Sequence, residues 1–334
     1  MKKVLELNDS DFRELISETA RNMGVQPVII EKDVWVCTVL QRLFFDSLFK
    51  DHLVFKGGTS LSKVYKLINR FSEDIDLILD WRVFGYGTGG KDPYFMRSSK
   101  SKQDRFNKEI VLASAEYVEK NFVPHIAYVL SDIHDIQVQI SDSDPNAVEI
   151  FYPSAYSVEY VPNRVLLEIG PLAAWVPSRW EQITPYVSEF FPQAVGNIRI
   201  DVRSTTAERT FWEKATILHQ EAHRTTSPPI RYSRHFYDLY KMSLHSVTES
   251  ALKDPELLQQ VVSFKSKFYP SAWARYDLAV PGTFKLISGN MHLKELERDY
   301  KDMAIMIFGD VPKWENVVHR LGQLEEEINA SNSC

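Results

Sequence analysis

Residues 55 to 80 read FKGGTSLSKVYKLINRFSEDIDLILD and combine a glycine turn with two closely spaced aspartates. The apolar residues before the turn predict a strand, and Gly57 and Gly58 allow a tight bend after it. Thr59 or Ser60 can cap a helix that runs to about residue 67. Backbone N–H groups at such a bend, with the helix dipole and the two hydroxyls, suit the phosphates of a nucleotide.

The second half of the segment carries Asp74 and Asp76, which point to one side of a predicted strand because side chains alternate along a strand. Carboxylate oxygens at rigid positions, with room for phosphate oxygens and water, favour Mg²⁺, with Mn²⁺ as a substitute, over a zinc or calcium cage. The alternative is an acidic strand edge whose charges only prevent aggregation. The glycine turn upstream favours the metal site.

The sequences GGTSL at residues 57 to 61 and RFSEDID at residues 70 to 76 resemble the signature of the AbiEii/AbiGii toxin family, which includes the MenT toxins. The resemblance implies a nucleotidyltransferase with a DNA-polymerase-β-like core, in which a glycine turn precedes a strand carrying two aspartates. The interval between Gly58 and Asp74 is somewhat long for the general pattern. We also expect Lys63 and Ser72 to contact the nucleotide.

The composition of the chain predicts a folded enzyme of two lobes. It has 334 residues, of which 44% are hydrophobic, with 19 Phe, 15 Tyr and 7 Trp. The net charge of −6 excludes a bulk nucleic-acid binder, although residues 203 to 235 are strongly basic. That basic stretch is either a solvated helix pair or a groove for a triphosphate or RNA.

The cysteine content and the hydropathy predict a cytoplasmic location. Cys37 and Cys334 are the only cysteines, so a disulfide framework is not expected. The apolar runs are shorter than a membrane span, so we expect no membrane association.

The order of patterns along the chain predicts an α+β fold, with a mixed β-sheet flanked by helices and a helical lobe at the C-terminal end. Helices are predicted at residues 8 to 23, 28 to 49 and 103 to 121, and strands at 135 to 140, 147 to 152, 164 to 169 and 198 to 202. The nucleotidyltransferase core with its N-terminal helices is expected at residues 1 to 204. The helical lobe, residues 205 to 334, is expected to contribute a lysine and an aspartate to the cleft.

A third carboxylate, generally supplied by a neighbouring strand in polymerase-β-like sites, is expected at Glu168. This residue lies in the apolar sequence VLLEI, where a charged side chain needs a partner or a cleft. The alternative is a solvent-facing strand residue. Asp201 and Glu149 are weaker candidates for the same role.

Lys214 borders the apolar side of a predicted helix that begins near residue 206. It can extend to solvent, or its ammonium can face a triphosphate. The family resemblance, which includes an F-x-E-K-type helix with a required lysine, favours phosphate contact.

The sequence RHFYDLY at residues 234 to 240 resembles the family element R-D-x-Y-D-L, with His235 where a second acidic residue is common. The resemblance makes Asp238 a site residue that positions Lys214 or the nucleotide. The alternative is an ion pair with Arg234 one helical turn away.

Two further clusters of polar residues are not expected to be catalytic. Glu31, Lys32 and Asp33 form an E-K-D element that recurs in the family, and we interpret it as structural, with Lys32 as a candidate phosphate contact. His219 and His223 are four residues apart, but the residue after the first histidine is not the glutamate of a zinc protease motif.

The combined interpretation is a Mg²⁺-dependent nucleotidyltransferase that transfers NMP from an NTP to an acceptor hydroxyl and releases pyrophosphate. By family analogy the acceptor is a tRNA 3′ end, and the protein is the toxin of a toxin–antitoxin system tied to phage defence, with a cognate antitoxin as partner. One alternative is nucleotidylation of a partner protein. Another is a non-catalytic nucleotide-binding module.

Overall fold

The computed structural model describes residues 1–72, 74–156 and 162–331, which divide into two compact units. The first unit comprises Met1–Val64 and Phe71–Thr205, and the second comprises Tyr65–Arg70 and Thr206–Cys334. Residues 65 to 70 belong to the second unit, although the boundary predicted from the sequence had placed them in the catalytic lobe. No helix among the described residues is both long and apolar enough to cross a membrane.

The described residues of the first unit contain α-helices whose starts and ends follow from local sequence signals. The second of them starts where the Asn8 side chain accepts a hydrogen bond from Asp11 N, and it ends at Gly24, which has a φ of +66°. The helix predicted from residue 8 to 23 is therefore confirmed. The helices are α1 Lys2–Leu5, α2 Asp9–Met23, α3 Pro27–Gln41, α4 Gly57–Lys63, α5 Lys100–Tyr117, α6 Val123–Val129, α7 Tyr186–Phe190 and α8 Pro192–Val195.

Several predicted helices are shorter or less regular in the structure. The helix predicted over residues 28 to 49 is α3 followed by a single π-helical turn, Arg42–Asp46, and α5 likewise passes into a π-helical turn, Val118–Phe122. The helix after the glycine turn ends at Lys63 rather than near residue 67. Short 3₁₀ turns occupy Trp81–Phe84 and Gly89–Lys91.

Seven strands within the described residues form one mixed sheet, in the order β3-β4-β5-β2-β1-β7-β6. The pairs β2–β5 and β1–β7 are parallel, and the other neighbours are antiparallel. The strands are β1 Leu53–Lys56, β2 Ile75–Leu79, β3 Gln137–Ser141, β4 Asp144–Phe151, β5 Arg164–Gly170, β6 Ser178–Ile183 and β7 Ile200–Thr205. The predicted α+β class with a mixed sheet flanked by helices is confirmed.

Strand β6 was not predicted, because its sequence SRWEQI lacks the alternation of apolar residues that marks a half-buried strand. Only Ile183 of this strand is buried. The strand pairs with β7 alone, at the end of the sheet, where one-sided burial against a core is not required.

The two faces of the sheet differ in chemistry because side chains alternate along each strand. Phe55, Leu77 and Leu167 lie on one face and are fully buried in the main hydrophobic core with residues of α2 and α3. The opposite face carries Asp76 and Glu168, one residue removed from those core positions. The fold therefore presents the predicted acidic residues on the face away from the main core.

The second unit is helical in its described elements, as the sequence predicts. Residues 65 to 70 join it through a backbone bridge between Arg70 and Ile307 and a 2.7 Å hydrogen bond from Phe308 N to the Asn69 carbonyl. Its α-helices are α9 Ala207–Ala222, α10 Ser233–Met242, α11 Val247–Leu252, α12 Pro255–Phe268, α13 Asn290–Met303 and α14 Trp314–Ala330.

Candidate active site

The Asp76 carboxylate lies directly against the glycine turn. Gly57 has a φ of +80°, and a Cβ atom built on it would lie 1.9 Å from Asp76 Oδ2 and 2.6 Å from Asp76 Cγ. Only a residue without a side chain permits this approach. The glycine at position 57 is thus required by the backbone conformation and by the carboxylate that packs on it.

The hydroxyls of the turn hold the turn itself together. Thr59 Oγ1 donates to the carbonyl oxygens of Ser72, at 3.2 Å, and Asp74, at 2.5 Å. Ser60 Oγ donates to the Gly57 carbonyl at 2.9 Å, and Thr59 and Ser60 are both buried. Thr59 therefore fixes the chain just before β2, where Asp74 lies, which is a different use of these hydroxyls from the expected phosphate contact.

Backbone N–H groups are the remaining donors that the turn can offer a phosphate. The first N–H groups of a helix have no acceptor within that helix, so those of Gly57 and Gly58 are the relevant ones. Helix α4 has 7 residues, so its dipole is small. Attraction of a phosphate to this turn would therefore come mainly from the individual N–H groups.

Glu168 lies beside Asp76 on the neighbouring strand. The two residues are direct partners in the parallel β2–β5 register, so their side chains project from the same face of the sheet. Glu168 is solvent-exposed and Asp76 is half-buried. Adjacent strands are about 4.8 Å apart, which places the two carboxylates side by side.

The competing carboxylates are placed less favourably. Glu149 lies opposite Leu166 and forms a 3.1 Å ion pair with Arg164. Asp201 accepts a 2.9 Å hydrogen bond from Gln182 Nε2. The register of β1 and β7 sets Asp201 roughly 13 Å along the sheet from the level of Asp76.

The donor chemistry of Asp74, Asp76 and Glu168 fits a hard divalent cation, because all three offer carboxylate oxygens. The approach of Asp76 to Gly57 leaves the carboxylate next to the backbone N–H groups of the glycine turn. Within the described ranges no group of three or more His, Cys, Asp or Glu side chains meets as a ready-made metal cluster. Asp76 and Glu168 lie on neighbouring strands and Asp74 lies just before β2, so these carboxylates do not form a closed cage.

Lys56 is a candidate that the sequence reasoning missed. It is the register partner of Asp76 in the β1–β2 pair, and its Cε would lie 3.9 Å from a Cβ built on Gly170 of β5. Its side chain thus extends over β2, on the face that carries Asp76. The signal was available, since Lys56 directly precedes the two glycines and alternates with the buried Phe55.

Lys63 has a structural environment. Its Nζ lies 2.6 Å from Asp33 Oδ1, donates to the Thr184 carbonyl at 2.9 Å, and lies 3.7 Å from the ring centroid of Tyr186. Lys63 and Asp33 are both buried, and Asp33 Oδ2 also accepts from Tyr186 N at 2.8 Å. The ammonium is engaged in anchoring α4 to α3, where a contact with the nucleotide was expected from the sequence.

Replacing Lys63 with methionine is expected to lower the free energy of unfolding by about 3–5 kcal/mol, because it leaves the Asp33 carboxylate buried without its counter-charge. Urea denaturation followed by circular dichroism measures this change. The double variant Asp33→Asn/Lys63→Met removes both charges and keeps an acceptor for Tyr186 N, so it should lose less stability than the single variant. An equal or greater loss in the double variant would contradict the ion-pair account.

The E-K-D element in α3 is structural throughout. Glu31 is fully buried and accepts hydrogen bonds from Ser154 Oγ, Ala155 N and Tyr156 N at 2.8, 2.6 and 3.1 Å. Lys32 Nζ donates to the Pro162 carbonyl at 2.7 Å. Glu31 and Lys32 thus hold the chain on both sides of residues 157 to 161, and Lys32 has a structural contact where a phosphate contact was considered.

In the second unit, Asp238 lies between two cations. Its carboxylate accepts from Arg70 Nε at 2.6 Å and Nη2 at 2.8 Å, and Lys214 Nζ lies 2.8 Å from its Oδ2. Asp238 is fully buried, and Arg70 and Lys214 are nearly so. The ion-pair partners of Asp238 are therefore Arg70 and Lys214. The alternative considered from the sequence was an ion pair with Arg234.

Arg70 was missed as a member of this cluster. It was noted only as the first residue of the R-F-S signature, and its contact with Asp238 spans 168 positions of sequence. A bidentate arginine contact of this kind is specific in geometry. It joins residues far apart in the sequence, so no local sequence pattern predicts it.

The charges of the cluster shift the pKa values of its members. Burial alone would raise the pKa of Asp238, but the charges of Arg70 and Lys214 outweigh it and hold that pKa well below its usual range. Burial lowers the pKa of Lys214, Asp238 opposes the shift, and Arg70 adds to it. The Asp238 carboxylate is therefore ionised and in contact with both cations.

His235 completes the surroundings of Lys214. Burial, followed by the charge of Lys214, holds the pKa of His235 well below its ordinary value, so the imidazole is neutral. Its Nδ1 lies 3.1 Å from Lys214 Nζ, which assigns Nδ1 as the acceptor and places the ring proton on Nε2. Lys214 is thereby oriented by two groups.

His219 has a structural environment that agrees with the rejection of a zinc protease. Its Nε2 lies 3.0 Å from the Arg275 carbonyl, and its Nδ1 accepts from Lys285 N at 3.0 Å. Burial lowers its pKa to about 4, so the ring is neutral. Both ring nitrogens are hydrogen-bonded to the backbone of the segment that contains Arg275 and Lys285.

Among known proteins the chain has a distant structural likeness. A search of curated sequences gave no significant match. Among solved structures, MenT4, a nucleotidyltransferase toxin from Mycobacterium tuberculosis H37Rv, matches with 15% identity and a TM-score of 0.46, over 96% of this chain and 98% of that chain.

The family described as "Nucleotidyl transferase AbiEii toxin, Type IV TA system" matches residues 38–320, most of the chain. The matched range contains the glycine turn, both aspartates, Glu168, and the Lys214–Asp238 pair. The protein therefore belongs to the AbiEii family of nucleotidyltransferase toxins of type IV toxin–antitoxin systems.

Proposed function

We propose that the protein transfers NMP from an NTP to the 3′ hydroxyl of an RNA, with tRNA as the acceptor, in a reaction that depends on Mg²⁺ or Mn²⁺. The observation that carries the proposal is the contact of the Asp76 carboxylate with the glycine turn, because it sets a cation ligand beside phosphate donors. Family membership supports nucleotidyl transfer. The identity of the cation and of the acceptor is our proposal.

In the proposed reaction the first unit supplies contacts for the phosphates and for the divalent cation. The backbone N–H groups of Gly57 and Gly58 bind phosphate oxygens, while Thr59 and Ser60 keep the turn in shape through their hydroxyls. Asp74, Asp76 and Glu168 hold the divalent cation. A bound Mg²⁺ would neutralise phosphate charge and align the attacking hydroxyl with the pyrophosphate leaving group.

Lys214 is proposed as a further phosphate ligand, positioned by Asp238. The support for this role lies within the second unit, where Asp238 and His235 hold the buried Lys214 ammonium in one orientation. A lysine ammonium is a suitable donor to phosphate oxygens. Asp238 orients the ammonium and is a positioning residue.

The protein is proposed to act as a toxin by modifying RNA that translation requires, and its antitoxin is proposed to oppose that activity. Nucleotidylation of a partner protein uses the same phosphate chemistry at a different hydroxyl. The two reactions are separated by the identity of the labelled product.

The test incubates the purified protein with each of the four α-³²P-labelled NTPs, Mg²⁺ and total tRNA. We expect label on RNA, resistant to protease and sensitive to ribonuclease, with one NTP or a subset preferred. Label on protein would support protein nucleotidylation, and the absence of label from every macromolecule would support a non-catalytic nucleotide-binding module. Chelation with EDTA should abolish the transfer.

Replacing Lys214 with methionine should reduce kcat/KM for the NTP by about 10- to 100-fold, because a charge-assisted phosphate contact is lost. Asp238 keeps its bidentate partner Arg70, so the variant should remain folded. Lys253→Met, at an exposed lysine of the same unit, should stay within about twofold of the wild type. Equal kcat/KM for the Lys214 variant and the wild type would remove Lys214 from the site.

A further inference from the structure

Residues 81 to 109 differ in charge from the rest of the chain. They contain seven basic and three acidic residues, in a protein whose net charge is −6. The segment follows β2 and ends within α5, so it lies wholly in the first unit. A local concentration of positive charge on an acidic protein indicates an anionic ligand.

The loop before α5 is organised by Arg97. Its guanidinium donates to the carbonyl oxygens of Phe95, at 2.9 Å, Asp92, at 3.2 Å, and Gly90, at 3.3 Å. The same guanidinium lies 3.2 Å from the ring centroid of Phe106 in α5. These contacts fix the loop onto α5 and give residues 94 to 96 a defined position.

Residues at the tip of this loop are apolar and exposed. The exposed fractions are 53% for Tyr94, 56% for Phe95 and 84% for Met96. Tyr94 packs edge-on against Trp81 at a centroid distance of 5.5 Å, and Trp81 lies 4.4 Å from Trp175. Trp81 is only 2% exposed, so it supports Tyr94 from below, and the rings of this loop that offer a face for stacking are Tyr94 and Phe95.

Helix α5, onto which Arg97 fixes this loop, carries exposed cations. Lys102, Arg105 and Lys108 recur every three residues, so they share one side of the helix, and all three are exposed. Lys100 at the start of the helix is exposed as well. Basic side chains beside exposed aromatic rings are the combination used to bind single-stranded nucleic acids, in which bases stack and phosphates pair with cations.

We propose that the surface formed by Tyr94, Phe95, Lys102 and Arg105 binds a single-stranded segment of the RNA substrate. This inference rests on the proposed function for its choice of RNA. A protein partner fits less well, because lysine is depleted at the centre of protein interfaces.

The surface belongs to the same unit as Asp76. Tyr94 packs on Trp81, and Trp81 lies just after β2, the strand that carries Asp76.

The test measures binding separately from transfer. The probe is a fluorescein-labelled 12-nucleotide single-stranded RNA, followed by fluorescence anisotropy, with unlabelled total tRNA as competitor. The Tyr94→Ala/Phe95→Ala variant should weaken binding about tenfold or more, because two stacking faces are lost. The Lys102→Glu/Arg105→Glu variant should weaken binding and reduce the salt dependence, log Kd against log salt, by about two.

Matched controls change exposed apolar and exposed basic residues elsewhere in the first unit. Phe45→Ala/Leu48→Ala removes two residues that are 77% and 79% exposed, and Lys3→Glu/Lys50→Glu makes the same charge change at exposed lysines. Both controls should bind RNA as the wild type does. Thermal melting of every variant shows whether the fold is retained.

The outcomes separate this inference from the proposed function. Loss of RNA binding in both surface variants and in neither control supports the surface, whether or not the wild type transfers nucleotide to RNA. Wild-type affinity in both surface variants overturns the inference, even if transfer to RNA is observed. Binding of the wild type to phosphatidylserine vesicles but not to RNA also overturns it.

Discussion

Replacing Asp76 with asparagine is expected to reduce nucleotidyl transfer by about 10³-fold, equivalent to roughly 4 kcal/mol in transition-state stabilisation. Asp76 is the carboxylate that packs against the glycine turn and pairs in register with Glu168. Asparagine keeps the shape of the side chain but removes the charge that binds a cation, so thermal stability should change little. Initial rates with α-labelled NTP measure the effect.

The matched control is Asp201→Asn, at an exposed strand aspartate that is hydrogen-bonded to Gln182. Its transfer rate should lie within about twofold of the wild type. An Asp76→Asn variant that retained full activity would show that the predicted metal site does not carry the reaction. A large loss of transfer in the Asp201 control would instead indicate that the reaction depends on β7, away from the site proposed at Asp76.

Replacing Gly57 with alanine is expected to reduce transfer by about 10²-fold, since a misplacement of about 1 Å in a reacting group has an effect of this size. The new Cβ would lie 1.9 Å from Asp76 Oδ2, so either the carboxylate or the turn must move. The φ of +80° adds backbone strain that only glycine avoids. Transfer rates and NTP affinity, measured by isothermal titration calorimetry, should both fall.

Gly24→Ala is the matched control for backbone strain, because Gly24 has a φ of +66° but no atom within 4 Å of a built Cβ. This variant should lose about 1 kcal/mol of stability and keep its transfer activity. If Gly57→Ala and Gly24→Ala lost stability and activity in parallel, strain alone would explain both results and the Asp76 contact would be irrelevant.

Local patterns in the sequence predicted most of the first unit. The glycine turn, the alternation around Asp74 and Asp76, and the capped helix after Asn8 each arise from interactions between residues close in sequence. Strand β6 was missed because an edge strand with one buried residue has no strong period. The placement of residues 65 to 70 with the second unit depends on the distant pairing of Arg70 with Asp238 and Ile307.

The candidate site was predicted less completely, because ionic contacts are set by tertiary structure. Lys63 lies six residues after the glycine turn and was expected to bind nucleotide, but its contact with Asp33 crosses from α4 to α3. Asp238 has Arg234 within reach along its own helix, but its partners are Arg70 and Lys214. A charged residue in a sequence indicates that a partner is needed, not which one it finds.

The most direct test of nucleotidyl transfer compares two labels on the same NTP. Wild-type protein, tRNA and Mg²⁺ are incubated with either α-³²P or γ-³²P NTP, and the RNA and the released phosphates are separated by electrophoresis and thin-layer chromatography. Attack at the α-phosphorus predicts that α label enters RNA while γ label is released as pyrophosphate. Entry of γ label into RNA, or α label retained only in free nucleotides, would contradict the proposed reaction.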